Sequence, residues 1–234
     1  MTIVAKSDTG QVRETNQDVV YISPDERFCI LADGMGGHNG GNIASLSAVG
    51  IVRNHLQQHV LEKNQDIEKV LERTVKEAND IIHFMSTHET SLGGMGTTLI
   101  ICYFVGSKVW FAHVGDSRAY KIDKKSIIQL TKDHTVVDIL VSQGTITAEE
   151  ARNHPKKNII TRAVGTESEI VVDVFCTKFS KGDTILICSD GLTDMLNDEE
   201  LYATLGKETN VDALIDKANA KGGDDNISVI LASY

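Results

Sequence analysis

Between residues 43 and 85 the apolar residues recur at every third and fourth position, and on either side they come in short runs separated by turn residues. Ile43, Leu46, Val49, Val52, Leu56 and Val60 mark one amphipathic helix. Ile67, Val70, Leu71, Val75, Ala78, Ile81, Ile82 and Met85 mark a second, longer one. Only LEKNQ separates them, which predicts antiparallel neighbours. TIVAKS, DVVYIS and FCILAD precede the pair and read as strands. TTLIICYFV and KVWFAHV follow it, with Gly106-Ser107 between them as a hairpin signal. SRAYKI and SIIQLT continue in the same style. A helical insert, TVVDILVSQG then TAEEARNH, carries Thr147 and Glu150 at capping-box spacing. IVVDVFCTKF and TILICS are strands, helices fall near 198–205 and 211–220, and ISVILAS closes the chain. Asn197 and Glu200 resemble a cap for the first of those helices.

This order lacks the regular βαβα beat of a doubly wound sheet. It predicts antiparallel sheets whose outer faces are covered by helices, an α+β chain. With 234 residues and no linker, repeat or low-complexity tract, residues 1–234 read as a single domain.

Charge and composition remove several functions. Lys and Arg total 23 against 33 Asp and Glu, a net charge of −10, which argues against nucleic acid and anionic lipid as partners. No run approaches the length of a membrane span, and MTIVAKSDTG has no basic region followed by an apolar core, so the expected location is cytoplasmic. Cys29, Cys102, Cys176 and Cys188 lie in or beside apolar segments with no CxxC, and read as reduced core thiols.

Five aspartates share a setting. Asp33 (FCILADG), Asp116 (AHVGDSR) and Asp190 (LICSDG) end apolar strands, Asp225 precedes the last strand, and Asp18 starts an early one. One aspartate at a strand end is ordinarily a turn former or helix cap. Five at one sheet edge would repel one another and raise their pKa values unless a cation sat among them. Such an oxygen-rich set suits a hard divalent ion, Mg²⁺ or Mn²⁺. The stretch DGMGGHNGG leads from strand to helix, but no Lys-Ser/Thr follows, so it is not a nucleotide P-loop. Glycine there lets backbone approach an ion, with a carbonyl oxygen as a ligand.

These pieces resemble the PPM or PP2C family of metal-dependent Ser/Thr protein phosphatases, in particular its compact bacterial members. SDTGQVRETNQD, DGMGGHNGG, GGMGTT, HVGDSRAY, LTKDHT, NIITRAVG, ICSDGLTD and GGDDNISVI match the family's boxes in the family's order, nearly end to end. The resemblance implies a four-layer α-β-β-α sandwich, two central antiparallel sheets flanked by helices, with the metals at one end. It implies that Asp33 bridges two ions, that the Gly34 carbonyl binds one, and that Asp190 and Asp225 complete the set. Asp18 would hold a metal's water, Asp116 with Asp190 would take a third, weaker ion, Asn226 would support the site, and Arg13 would clamp the phosphate. Segment 134–165 resembles the family's flap, and Arg152, Lys156 and Lys157 give it local positive charge suited to steering a phosphopeptide.

The implied reaction is hydrolysis of phosphoserine and phosphothreonine in proteins, with two core Mn²⁺ or Mg²⁺ ions. The implied setting is a monomer opposing a Ser/Thr protein kinase, which is itself a candidate substrate. Two departures stand out. Gln17 and Met35 replace the Glu and His of the animal members, which leaves the proton donor open; His38 is nearby but reads as a solvated loop residue. Two other functions remain to be weighed: a catalytically dead regulatory module, which would have lost metal-ligand aspartates, and a phosphatase of small esters.

Overall fold

The computed structural model describes residues 1–58, 66–206 and 210–234, with the side chains of 37–39 outside the description. Strands β1 (Thr2–Asp8), β2 (Asp18–Ile22) and β3 (Phe28–Met35) lead into helices α1 (Gly37–Gln58) and α2 (Ile67–His88). After a 3₁₀ turn come β4 (Gly96–Thr97), β5 (Leu99–Val105), β6 (Lys108–Val114), β7 (Arg118–Ile122) and β8 (Ile127–Gln129). Helices α3 (Val136–Ser142) and α4 (Ala148–Arg152) make the insert. The chain then runs through β9 (Asp173–Lys178), β10 (Thr184–Cys188), α5 (Asp190–Thr193), α6 (Asp198–Leu205), α7 (Val211–Ala220) and β11 (Ile227–Ser233).

The strands form two sheets, one ordered β1-β11-β10-β7-β8 and the other β2-β3-β5-β6-β9 with β4 beside β3. All their ladders are antiparallel. The hairpin signal at Gly106-Ser107 holds: Val105 pairs with Lys108, and Gly106 takes the positive φ of 62° that a tight turn needs.

Alternation along β3 separates two cores. Phe28, Ile30 and Ala32 point to α1 and α2, where they meet Ala48, Val52 and Leu71. Cys29 and Leu31 point the other way and pack between the sheets with Ile187 and Ile230. A third core joins α6 and α7 to the outer face of β7, β10 and β11. The result is the four-layer α-β-β-α sandwich.

Capping boxes form at Thr147/Glu150 and at Asn197/Glu200, as their spacing predicts. Two residues of the helical stripes turn out exposed: Leu46 (53%) and Ile81 (43%). In α1 the sheet-facing line is Ala44, Ala48 and Val52, and Leu46 stands two residues off it, roughly 200° around the helix. Small alanines there let the helix approach the sheet closely. Val60 and the LEKNQ connection lie outside the described residues. All four cysteines are free, three of them buried. Among the described residues no helix is long and apolar enough to cross a membrane.

Candidate metal centre

Antiparallel register brings the acidic residues together. Asp18 opens β2 directly opposite Asp33 near the end of β3. In the other sheet Cys188, the last residue of β10, pairs with Val229 of β11, so Asp190 and Asp225 flank the same end. Asp116 sits in the turn from β6 to β7. Arg13, Asp33, Gly34, Asp116, Asp190 and Asp225 line one cavity of about 540 Å³. Asp18 is buried at 7% exposure.

The carboxyls perturb one another. Desolvation and then repulsion by Asp18, Asp190, Asp116 and Asp225 hold Asp33 well above the ordinary carboxyl range. Burial pushes Asp18 up to about 7, with the Ser189 hydroxyl opposing. That hydroxyl donates to Asp18 Oδ2 at 2.7 Å, while Asp18 Oδ1 is buried without a partner. Burial, then Asp225, lifts Asp190 to about 6. Burial, then Asp190, holds Asp116 well above its usual value, and Asp116 Oδ1 also lacks a partner. Buried acceptors left unpaired among like charges are costly unless a cation compensates them.

Backbone packing shapes the rest. A Cβ at Gly34 would meet the Gly41 carbonyl oxygen at 2.1 Å, so only glycine lets the start of α1 close on β3. Asn226 pins the loop that carries Arg13: its Nδ2 donates to Thr9 O and Thr15 O at 2.9 and 3.0 Å, and its Oδ1 accepts from Gln17 N–H at 2.8 Å. Arg13 Nη2 donates to Asp225 Oδ2 at 2.7 Å, so here the arginine pairs with a carboxylate of the cluster. The His38 side chain lies outside the described residues, and Met35 lines the cavity.

Segment 134–165 reaches the cavity through Asn158 and Ile160. A second cavity, about 1040 Å³, lies beside the first and shares Asp116 and Asp190 with it; α3 and α4 form part of its wall. Lys157 donates to Asp194 Oδ2 at 2.6 Å, so one of the three expected steering charges is already neutralised.

Several residues escaped the sequence reading. Ser189 and Thr98 brace Asp18 and Asp33; Asp33 N–H donates to Thr98 Oγ1 at 3.0 Å. His113, His134 and Asp173 present ligand atoms within 4.8 Å of one another, close enough to hold a cation. They come from three separate segments, and each alone is an ordinary residue; only the ladder of β6 and β9, which pairs His113 with Asp173, reveals the group.

The double antiparallel sheet with an acidic end is that of a metal-dependent protein phosphatase. A family model described as protein phosphatase 2C matches residues 10–221. The serine/threonine phosphatase stp of Listeria monocytogenes is 40% identical over 234 residues, covering 97% of this chain and 93% of that one. The solved serine/threonine phosphatase PstP/Ppp of Mycobacterium tuberculosis superposes with a TM-score of 0.91 at 36% identity, covering 99% of this chain and 97% of that one. The catalytic domain of PstP in complex with two manganese ions gives 0.88 at 36% identity, covering 99% and 97%. The chain belongs to the protein phosphatase 2C family.

Proposed function

We propose that Asp33, Asp190, Asp225 and the Gly34 carbonyl hold two Mn²⁺ or Mg²⁺ ions. Asp116 and Asp190 take a third, weaker ion, and Asp18 holds water at the centre. The chain is a protein Ser/Thr phosphatase, and this set is its catalytic site. The observation that carries the assignment is the carboxylate cluster at one end of both sheets, in which burial and acidic neighbours push the Asp33 and Asp190 carboxyls above their usual range. The donors fit the ions: carboxylates and a backbone carbonyl are hard oxygen ligands, and Asp18 Oδ1 and Asp116 Oδ1 are buried acceptors with no partner. The solved PstP domain with two manganese ions supports the same count.

Two divalent ions at such a set supply an acidified water, neutralise phosphoryl oxygens and fix the line of attack. The chain does the rest. Arg13, paired with Asp225 here, has a planar guanidinium that could address two phosphoryl oxygens of the substrate. Met35 has no proton to give, so the leaving alkoxide must take its proton elsewhere, and water could supply it. Arg13→Ala is expected to lower kcat/KM on a phosphothreonine peptide about tenfold to hundredfold, the worth of one or two charge-assisted hydrogen bonds. Steady-state kinetics check it; an unchanged kcat/KM contradicts the phosphate contact.

The larger cavity beside the site, about 1040 Å³, has room for peptide next to the phosphoresidue, which favours protein substrates over small esters. In this reading the enzyme acts as a cytoplasmic monomer on phosphorylated proteins, opposing a Ser/Thr protein kinase that is itself a substrate. All five aspartates are present, which disfavours a dead regulatory module. Rates on a phosphothreonine peptide, a phosphotyrosine peptide and a small aryl phosphate test the substrate class. The phosphothreonine peptide is expected to give the highest kcat/KM; equal or better use of the aryl phosphate contradicts the reading.

A further inference from the structure

The turn that carries Asp116 is held on both sides by histidines. Gly115 N–H donates to His134 Nδ1 at 3.0 Å, and the His134 backbone N–H donates to the Gly115 carbonyl at 2.9 Å. His113 Nε2–H donates to the Ser117 carbonyl at 3.0 Å. The turn also rests on Thr98. Gly115 has φ +111°, a Cβ there would meet the Thr98 side chain at 2.6 Å, and the Thr98 and Ser117 hydroxyls lie 2.8 Å apart.

His134 has a second task. It stands at the root of the insert that contains α3 and α4. Its carbonyl accepts from Thr161 N–H at 2.7 Å, Thr135 bridges to Ile160, and Val136 N–H donates to the Ile159 carbonyl at 2.9 Å. The ring grips the Asp116 turn while the backbone closes the base of the insert. We propose that His134 is a positioning residue that sets the ion affinity of Asp116 and couples it to the seating of segment 134–161. The inference rests on the reading of Asp116 as a ligand of the third, weaker ion.

The obvious alternative is that His113, His134 and Asp173 bind a metal themselves. The hydrogen bonds speak against it. His134 Nδ1 accepts the Gly115 N–H, so the ring's proton is on Nε2, which faces Asp173 Oδ2 at 3.2 Å. An ion at Nε2 would have to displace that proton and leave an imidazolate. The positive charge is already supplied by Arg162, whose Nη1 lies 3.0 Å from Asp173 Oδ1 and 3.2 Å from His134 Nε2. The Asp173 carboxylate of the triad is thus compensated by a guanidinium without a metal.

Two variants separate the ring's contacts. In His134→Asn the side-chain oxygen stands near the place of Nδ1 and keeps an acceptor for Gly115 N–H. In His134→Gln the amide nitrogen stands near Nε2 and keeps a donor for Asp173. Bound Mn²⁺ is counted at equilibrium from the electron paramagnetic resonance of the free ion, with kcat and KM measured alongside. His134→Gln is expected to keep the two tight ions and weaken the third about tenfold or more, while His134→Asn stays within about threefold of wild type. Asp116→Ala is expected to abolish the same weak site.

If Asp116→Ala removes that site while both His134 variants bind Mn²⁺ as wild type does, or lose it equally, the positioning role is overturned. If Asp116→Ala leaves every Mn²⁺ site intact, the ligand reading of Asp116 fails, and this inference falls with it. A Zn²⁺ ion bound stoichiometrically, lost in Asp173→Asn and kept in Asp116→Ala, would give the triad to a metal and overturn the inference as well.

Discussion

Asp33→Asn is expected to lower phosphothreonine hydrolysis by on the order of 10³-fold or more, while making the ion-free protein more stable. The two effects share one cause. Asp33 stands opposite Asp18 in the β2–β3 ladder and feels Asp190, Asp116 and Asp225 as well. In the proposed assignment its charge would help to hold the ions. Without ions, the same charge faces Asp18, Asp190, Asp116 and Asp225, with Arg13 compensating Asp225. A neutral isostere would weaken ion binding and remove the repulsion. Near pH 8, where the carboxyls are most ionised, the ion-free variant should melt several degrees above ion-free wild type, roughly 1–3 kcal/mol for one buried unpaired charge. Mn²⁺ should raise its melting temperature far less than that of wild type. Kinetics with calorimetry check both, and the raised stability separates lost catalysis from misfolding. More than a tenth of wild-type activity in this variant contradicts the assignment.

Removing the ions should also change the sign of the protein's pH response. Burial and repulsion raise Asp18 to about 7 and Asp190 to about 6, and hold Asp33 and Asp116 well above the usual carboxyl range. The unfolded chain releases the same protons near 4. Between those values the folded state carries more protons at these four groups than the unfolded one, so their contribution to ion-free stability is fully present below about 4 and is lost as pH rises through 6 and 7. A loss of about 10 °C in melting temperature between pH 5 and 8 is expected from these shifts. Saturating Mn²⁺ reverses the trend, because deprotonated carboxylates bind the ion and binding stabilises the fold by mass action. The Mn²⁺-induced gain should therefore grow from pH 5 to pH 8. Differential scanning calorimetry at both pH values, with and without Mn²⁺, checks it. A gain that shrinks with pH would mean that the ions are not held by these carboxylates.

How much of this was legible before the fold depended on the range of each interaction. The helix pair, the hairpin and both capping boxes are local, and their residues lie within four positions of one another. The five aspartates could be named because each sits in a box of its own, three at the end of an apolar strand and two at the start of one. Their convergence needed register, which places Asp18 on Asp33. Ser189 could not be picked out by its spacing, since its task is to reach Asp18 from the other sheet. His113, His134 and Asp173 are dispersed over three segments, and only the β6–β9 ladder and the root of the insert bring them together. Lys157 reads as free positive charge until its partner Asp194, on a distant segment, is in view. Helix α5 (four residues) and strand β4 (two residues) are too short to show a period at all.

The central claim is that ions held by Asp33, Asp190 and Asp225 carry out the hydrolysis. Its most direct measurement is phosphate release from a phosphothreonine peptide by enzyme stripped with EDTA, then titrated with Mn²⁺. The account predicts no activity above background in the stripped enzyme, full recovery on adding Mn²⁺, and no recovery in Asp33→Asn. A stripped wild-type enzyme that still releases phosphate at its former rate would contradict it.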